Sequence, residues 1–214
     1  MIPTLRVLVD MGSLQRLAPF VLAALALLWA FWTPWLLAAV AYGVVLQFLV
    51  EYAMHRFLLH RKPPSEQGIF NDLYRSHIGH HEFPADPGLF TGDDPWYPVR
   101  FGLIATTLHG LVLWPVLGLG LGLGLGLGLG LGLGIGFTTA YIGLFLGSVA
   151  AFGFYEYCHT LAHLNVPKGW FGAKVTRDHL AHHFQDHRAT FHVSLGMGWI
   201  DRLFGTGHDT TRAR

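Results

Sequence analysis

Charge is scarce in this chain, and the places where it is missing decide its class. Only 13% of the 214 residues are Asp, Glu, Lys or Arg, against about 25% in an ordinary soluble domain. Neither Leu17–Val50 nor Phe101–Tyr155 contains a single charged residue, and these stretches are 34 and 55 residues long. About 20 apolar residues cross a bilayer as a helix, so each stretch has room for a helical hairpin. Soluble cores are not built from uncharged runs of this length. Cysteine is nearly absent as well. The one residue, Cys158, excludes an internal disulfide and a cysteine-ligated cluster. The net charge of +1 gives no reason to expect a nucleic-acid partner. The first apolar run is too long for a signal-peptide core and has no small-residue cleavage site nearby, so it is expected to be retained as a span.

Every Lys and Arg lies within 1–16, 51–100 or 156–214. The positive-inside rule places all three segments on the cytoplasmic side, which requires an even number of crossings in each apolar stretch. The expected fold is therefore all-α, a single membrane-embedded domain over 1–214 with four transmembrane helices in two hairpins and both termini cytoplasmic. The spans fall at about 17–31, 34–50, 101–116 and 137–155. Thr33-Pro34 makes the first turn, because Pro removes a backbone donor and restricts its predecessor. Residues 117–134 are nine Leu-Gly repeats. Alternating Gly is a poor helix former, and a strand would leave backbone groups unpaired in lipid. The repeat is read as a low-complexity link with no chemistry of its own.

Histidine, in contrast, is abundant. Ten of the fourteen fall in four clusters: His55 and His60; His77, His80 and His81; His159 and His163; His179, His182 and His183. Residues at i, i+3 and i+4 share one face of a helix, so each of the last three clusters converges. His55 and His60 are five apart and do not stack on an α-helix, so a helix end or bend is expected there. The halves resemble each other. Glu51-Tyr52 precedes the first pair and Glu156-Tyr157 the third cluster. The gap from His60 to His77 is 17 positions, and that from His163 to His179 is 16. A duplicated unit of this kind brings its clusters around a common centre.

Neutral imidazole suits Zn, Fe, Cu and Ni. Four ligands complete a structural zinc, so ten are too many for one ion and right for two. No HExxH segment is present, which argues against a zinc peptidase. Ligating histidines commonly donate their second N–H to a carboxylate. Glu51, Glu156 and Asp178 are the candidates for that task. His187 and His192 can line the site or sit at the bilayer surface; His109 and His208 are read as structural.

The order HX4H, HX2HH, HX3H, HX2HH after two membrane hairpins resembles the fatty acid hydroxylase superfamily, and within it the fatty acid 2-hydroxylases. His80-His81-Glu-Phe-Pro84-Ala-Asp86 is similar to that family's HHxxPxD segment, and Trp199-Ile-Asp201-Arg202-Leu-Phe-Gly205-Thr206 to its terminal segment. The resemblance covers roughly 40 to 206. It implies a non-haem dimetal site, di-iron in the working enzyme, with all ten cluster histidines as ligands, although isolated protein can carry zinc. It further implies O2 as co-substrate, a lipid acyl chain as substrate and hydroxylation at C2. With only 16 residues ahead of the first span, it implies a separate electron donor, cytochrome b5-like or ferredoxin-like. Trp96, Tyr97, Trp170, Phe171 and Trp199 suit the membrane interface.

Two other readings compete. Carotenoid and sterol hydroxylases or desaturases resemble the same scaffold, but in carotenoid ring hydroxylases the third cluster is usually HX4H rather than HX3H. A histidine-based metal or haem carrier needs ligands along a path through the membrane, whereas these lie outside the uncharged runs.

Overall fold

The computed structural model describes residues 2–30, 32–60, 77–90, 137–194 and 196–207, with 96, 99, 100, 102–104, 106, 107, 109 and 111. Among these, regular structure is helical throughout. In chain order it comprises α1 (Ile2–Asp10), α2 (Gly12–Ala30), α3 (Pro34–Met54), a π-helical turn (His55–Leu59), α4 (77–82), α5 (Pro87–Phe90), α6 (Phe137–His163), α7 (Trp170–Phe184) and α8 (Gly198–Leu203). The described residues of 99–111 are all helical. The Leu-Gly link at 117–134 and the end of the expected span at 101–116 lie outside the described residues, as do Tyr97 and His208.

Among the described residues, three helices are long and apolar enough to cross a membrane: Gly12–Ala30, Leu36–Leu59 and Thr138–His163. They correspond to the first, second and fourth expected spans. Pro34 is the first residue of α3, where its missing N–H costs nothing.

The chain divides into two compact units, and α3 and α6 contribute residues to both. One unit comprises Gly12–Gln47 and Trp96–Phe152; the other comprises Met1–Met11, Phe48–Pro95 and Gly153–Arg214. In the first, α2, α3 and α6 pack around Ala24, Leu36, Ile142 and Phe145. The contact between α3 and α6 depends on small residues. A Cβ on Gly147 would lie 2.0 Å from the Val40 carbonyl oxygen, and one on Gly43 would lie 2.3 Å from that of Leu144. Ser148 Oγ donates to the Gly43 carbonyl at 3.2 Å. Backbones approach this closely where glycine removes the side chain, a common device between helices in lipid. Large apolar residues stay outside, among them Leu22, Trp29, Leu37 and Val45.

The second unit holds the histidine-bearing elements. Its apolar centre is Cys158, Ala162, Val175 and Val193, flanked by Phe154, Tyr157 and Phe171. These residues fix the end of α6 against α7.

Candidate metal centre

All ten cluster histidines lie in this second unit. The π-helical turn begins at His55 and is capped by His60. A π turn bonds i to i+5, so it brings together two residues that an α-helix would part. Their rings stack with centroids 5.0 Å apart. The bend expected at this pair is thus a widened turn. α4 carries His77, His80 and His81, the end of α6 carries His159 and His163, and α7 carries His179, His182 and His183.

These side chains assemble into two sets. His55, His60, His77, His81 and His182 each offer a nitrogen within 4.8 Å of the others, and so do His80, His159, His163 and His179. His183 joins the second set through His179, their Nε2 atoms being 3.0 Å apart. Each three-histidine helix divides its ligands. α4 gives His77 and His81 to the first set and His80 to the second. α7 gives His179 and His183 to the second and His182 to the first. Each half of the duplication therefore supplies four members of one set and lends one to the other.

The spacing fits a cation better than it fits hydrogen bonding. Nε2 atoms face one another at 3.0 Å (His60–His182), 3.2 Å (His60–His77) and 3.1 Å (His77–His81). In the second set the separations are 3.0 Å (His80–His159) and 2.8 Å (His163–His179). One proton on an Nε2 can serve only one such neighbour, yet His60, His77 and His179 each face two. Two nitrogens on adjacent sites of one ion, at about 2.0–2.1 Å from it, lie roughly 2.9–3.4 Å apart. His55 Nε2 is buried with no hydrogen-bond partner, and an acceptor left in this state is costly unless it binds something. Each set can hold a metal ion.

Protonation favours the ligating form. Burial first, and then the neighbouring imidazoles, push His60 down to about 4. Burial likewise lowers His182 to about 4 and His183 to about 3. His77, His80, His81 and His179 are lowered for the same reasons. These rings are neutral near pH 7.

Backbone carbonyls fix the orientation of several rings. His55 Nδ1 donates to the Phe191 carbonyl, and His182 Nδ1 donates to that of Ala189 at 2.7 Å. Both donations leave Nε2 unprotonated and directed into the first set. In the second set, His163 bonds the backbone of Pro84, where only a carbonyl is available. Asp86 accepts the Gly88 N–H at 2.9 Å and starts the short α5, whose Phe90 stacks on His163 with centroids 5.2 Å apart. The Pro84-Ala-Asp86 segment thus packs behind one ring of the second set.

The carboxylates differ from one another. Glu51 is buried, but its hydrogen bonds go to Val193 N, Ser194 N and Ser194 Oγ at 2.8, 3.2 and 2.8 Å rather than to an imidazole of either set. Glu156 is buried on α6. Asp178 lies on the outer side of α7, where Lys174 Nζ takes its carboxylate at 2.6 Å, so the structure gives it a surface ion pair. His187 lines the edge of the first set, 5.0 Å from His81 between ring centroids. His192 stands apart from both sets. Its Nε2 donates to the Phe48 carbonyl at 2.9 Å, and its Nδ1 lies 3.3 Å from Asp201 Oδ2. Burial alone would lower His192, but the bond to Asp201 and the charge of Glu51 outweigh it and raise it above its usual value. Burial would raise Asp201, but His192 and two backbone amides hold it below the usual range. Asp201 was visible in the sequence only as part of the terminal segment, and nothing there showed its partners.

Known proteins resemble this chain in sequence and fold. Rat fatty acid 2-hydroxylase is 27% identical over 166 residues, covering 77% of this chain and 38% of the relative. The ceramide very long chain fatty acid hydroxylase scs7 of Schizosaccharomyces pombe is 28% identical over 170 residues, covering 77% and 40%. The chain therefore spans about two fifths of the length of these curated relatives. The solved hydroxylase domain of scs7p superposes with a TM-score of 0.62 at 23% identity, over 92% of this chain and 65% of that one, which shows a shared fold. The family model for fatty acid hydroxylases matches residues 39–206, a range that takes in all ten histidines and both short motifs. The chain belongs to the fatty acid hydroxylase family.

Proposed function

We propose that this chain is an O2-dependent hydroxylase of lipid acyl chains, acting at C2, with one metal ion in each histidine set and iron in the working enzyme. The observation that carries this reading is the pair of buried and half-buried imidazole sets, each completed by one histidine from the opposite half. Two sets that share helices α4 and α7 would suit a reaction that needs both ions jointly.

Hydroxylating a saturated carbon offers a protein acid or base nothing to grip, so the metal pair supplies O2 activation. The balance is R–H plus O2, two electrons and two protons giving R–OH and water. The electrons come from a separate donor, cytochrome b5-like or ferredoxin-like. The chain's own residues keep the rings neutral, aim their Nε2 atoms and hold the sets in register. We read the protein as multi-pass, with both termini and the histidine sets on the cytoplasmic side. Trp96, Trp170 and Trp199 are exposed and suit the interface. Zinc in isolated protein would follow imidazole affinity rather than function.

The test is lipid mass spectrometry of cells expressing the chain, beside a His80→Ala/His182→Ala variant that removes the lent histidine from each set. The expected result is acyl chains heavier by one oxygen at C2, absent in the variant. An unchanged acyl profile with both proteins present in the membrane would contradict the acyl assignment.

A further inference from the structure

The loop between α7 and α8 supplies the two carbonyls that orient His55 and His182, and its shape is not one the backbone adopts freely. Thr190 sits between Ala189 and Phe191 with φ of +58°. This left-handed conformation is uncommon and strained for a β-branched residue. It persists only where the surroundings impose it.

Those surroundings are a buried polar network. Asp201 Oδ1 accepts the Phe191 N–H at 2.8 Å, and Oδ2 accepts that of His192 at 3.1 Å. Thr206 Oγ1 donates to Oδ1 at 3.0 Å, and the Thr206 carbonyl accepts the Thr190 N–H at 2.7 Å. Glu51 takes the next two amides, of Val193 and Ser194. His192 lies between Asp201 and the Phe48 carbonyl. Tyr52 closes the network, its hydroxyl 3.0 Å from Thr206 Oγ1 and its ring stacked on His192 at 5.3 Å. Four consecutive backbone amides, 191 to 194, thus end on two carboxylates.

Resting on the dimetal reading above, we infer that Asp201 is a positioning residue for the first histidine set alone: through the 189–194 loop it holds the tautomer and aim of His55 and His182, with Glu51 and His192 as its partners. The second set draws its support elsewhere, His163 from Pro84 and Phe90. Asp201→Asn turns an amide N–H toward either the Phe191 or the His192 amide, so one donor faces another. The loop then relaxes toward ordinary φ at Thr190, and the carbonyls of 189 and 191 leave their rings. Loss of such a supporting bond lowers metal affinity by about 10–100-fold.

The test is titration of the purified, metal-stripped full chain with cobalt(II), followed by its visible absorption. The wild type takes up two equivalents. Asp201→Asn weakens one of them by about 10–100-fold and leaves the other unchanged. Its effect is not additive with His182→Ala, which acts on the same ion, and is additive with His163→Ala, which acts on the other. Ser194→Ala, which removes one hydroxyl from Glu51, weakens the same equivalent by a smaller factor in a chain that keeps its fold. Two unchanged equivalents in both variants overturn the inference, and so does equal weakening of both, the mark of a merely structural role. Fewer than two equivalents in the wild type would instead sink the dimetal reading, and this inference with it.

Discussion

The single imidazole is the unit on which the site depends. A buried neutral histidine has one donor and one acceptor, and its tautomer is set by whatever the donor finds. His55 and His182 find carbonyls on the same strained loop, so their acceptors point inward. A carboxylate on a helix surface has no such leverage. Asp178 was expected behind a ligand, but Lys174 holds it at the exposed side of α7. Exposed pairs of this kind contribute about 0–1 kcal/mol. Asp178→Ala is therefore expected to leave metal content at the wild-type value and to shift thermal stability only slightly, as read by metal analysis and a melting curve. Tyr52→Phe removes the hydroxyl bonded to Thr206 and is expected to cost about 1 kcal/mol, measured by the same melt.

Helices place these residues, and their faces were legible to different degrees. The i, i+3, i+4 spacing on α4 and α7 and the i, i+4 spacing on α6 could be read directly, because helix geometry is local. The five-residue gap from His55 to His60 signalled a departure from α-helix but not its kind. Which histidine serves which set was not legible. His80 and His182 cross to the opposite half's set because of how the helices pack, and spacing within a helix does not record that. Gly143-Leu-Phe-Leu-Gly147 was also present in the sequence, yet among so many glycines in the neighbouring repeat it gave no separate signal. The structure shows its use. Gly147→Ala would drive a Cβ into the Val40 carbonyl and is expected to cost about 1–3 kcal/mol or more. Gly153→Ala, six residues along the same helix with nothing within 4 Å of its Cβ, is expected to change stability by less than about 1 kcal/mol. Melting temperatures of the two variants in one detergent make the comparison.

At the scale of the whole molecule, two uncharged runs and a duplicated histidine pattern account for most of what the chain is. The apolar runs were legible because lipid demands length and the absence of charge. Three of the helices they imply are present among the described residues. The network joining Glu51, His192 and Asp201 was not legible, since its members are up to 150 residues apart and meet only in the folded chain. The account's central claim is that two ions sit in two sets, each completed by a histidine from the other half. Metal titration of the purified wild type beside His80→Ala and His182→Ala tests it most directly. Two non-haem ions per wild-type chain are predicted. Each variant should weaken a different one by about tenfold or more, with both weakened in the double variant. A single ion per chain, or two variants that weaken the same ion, would contradict it.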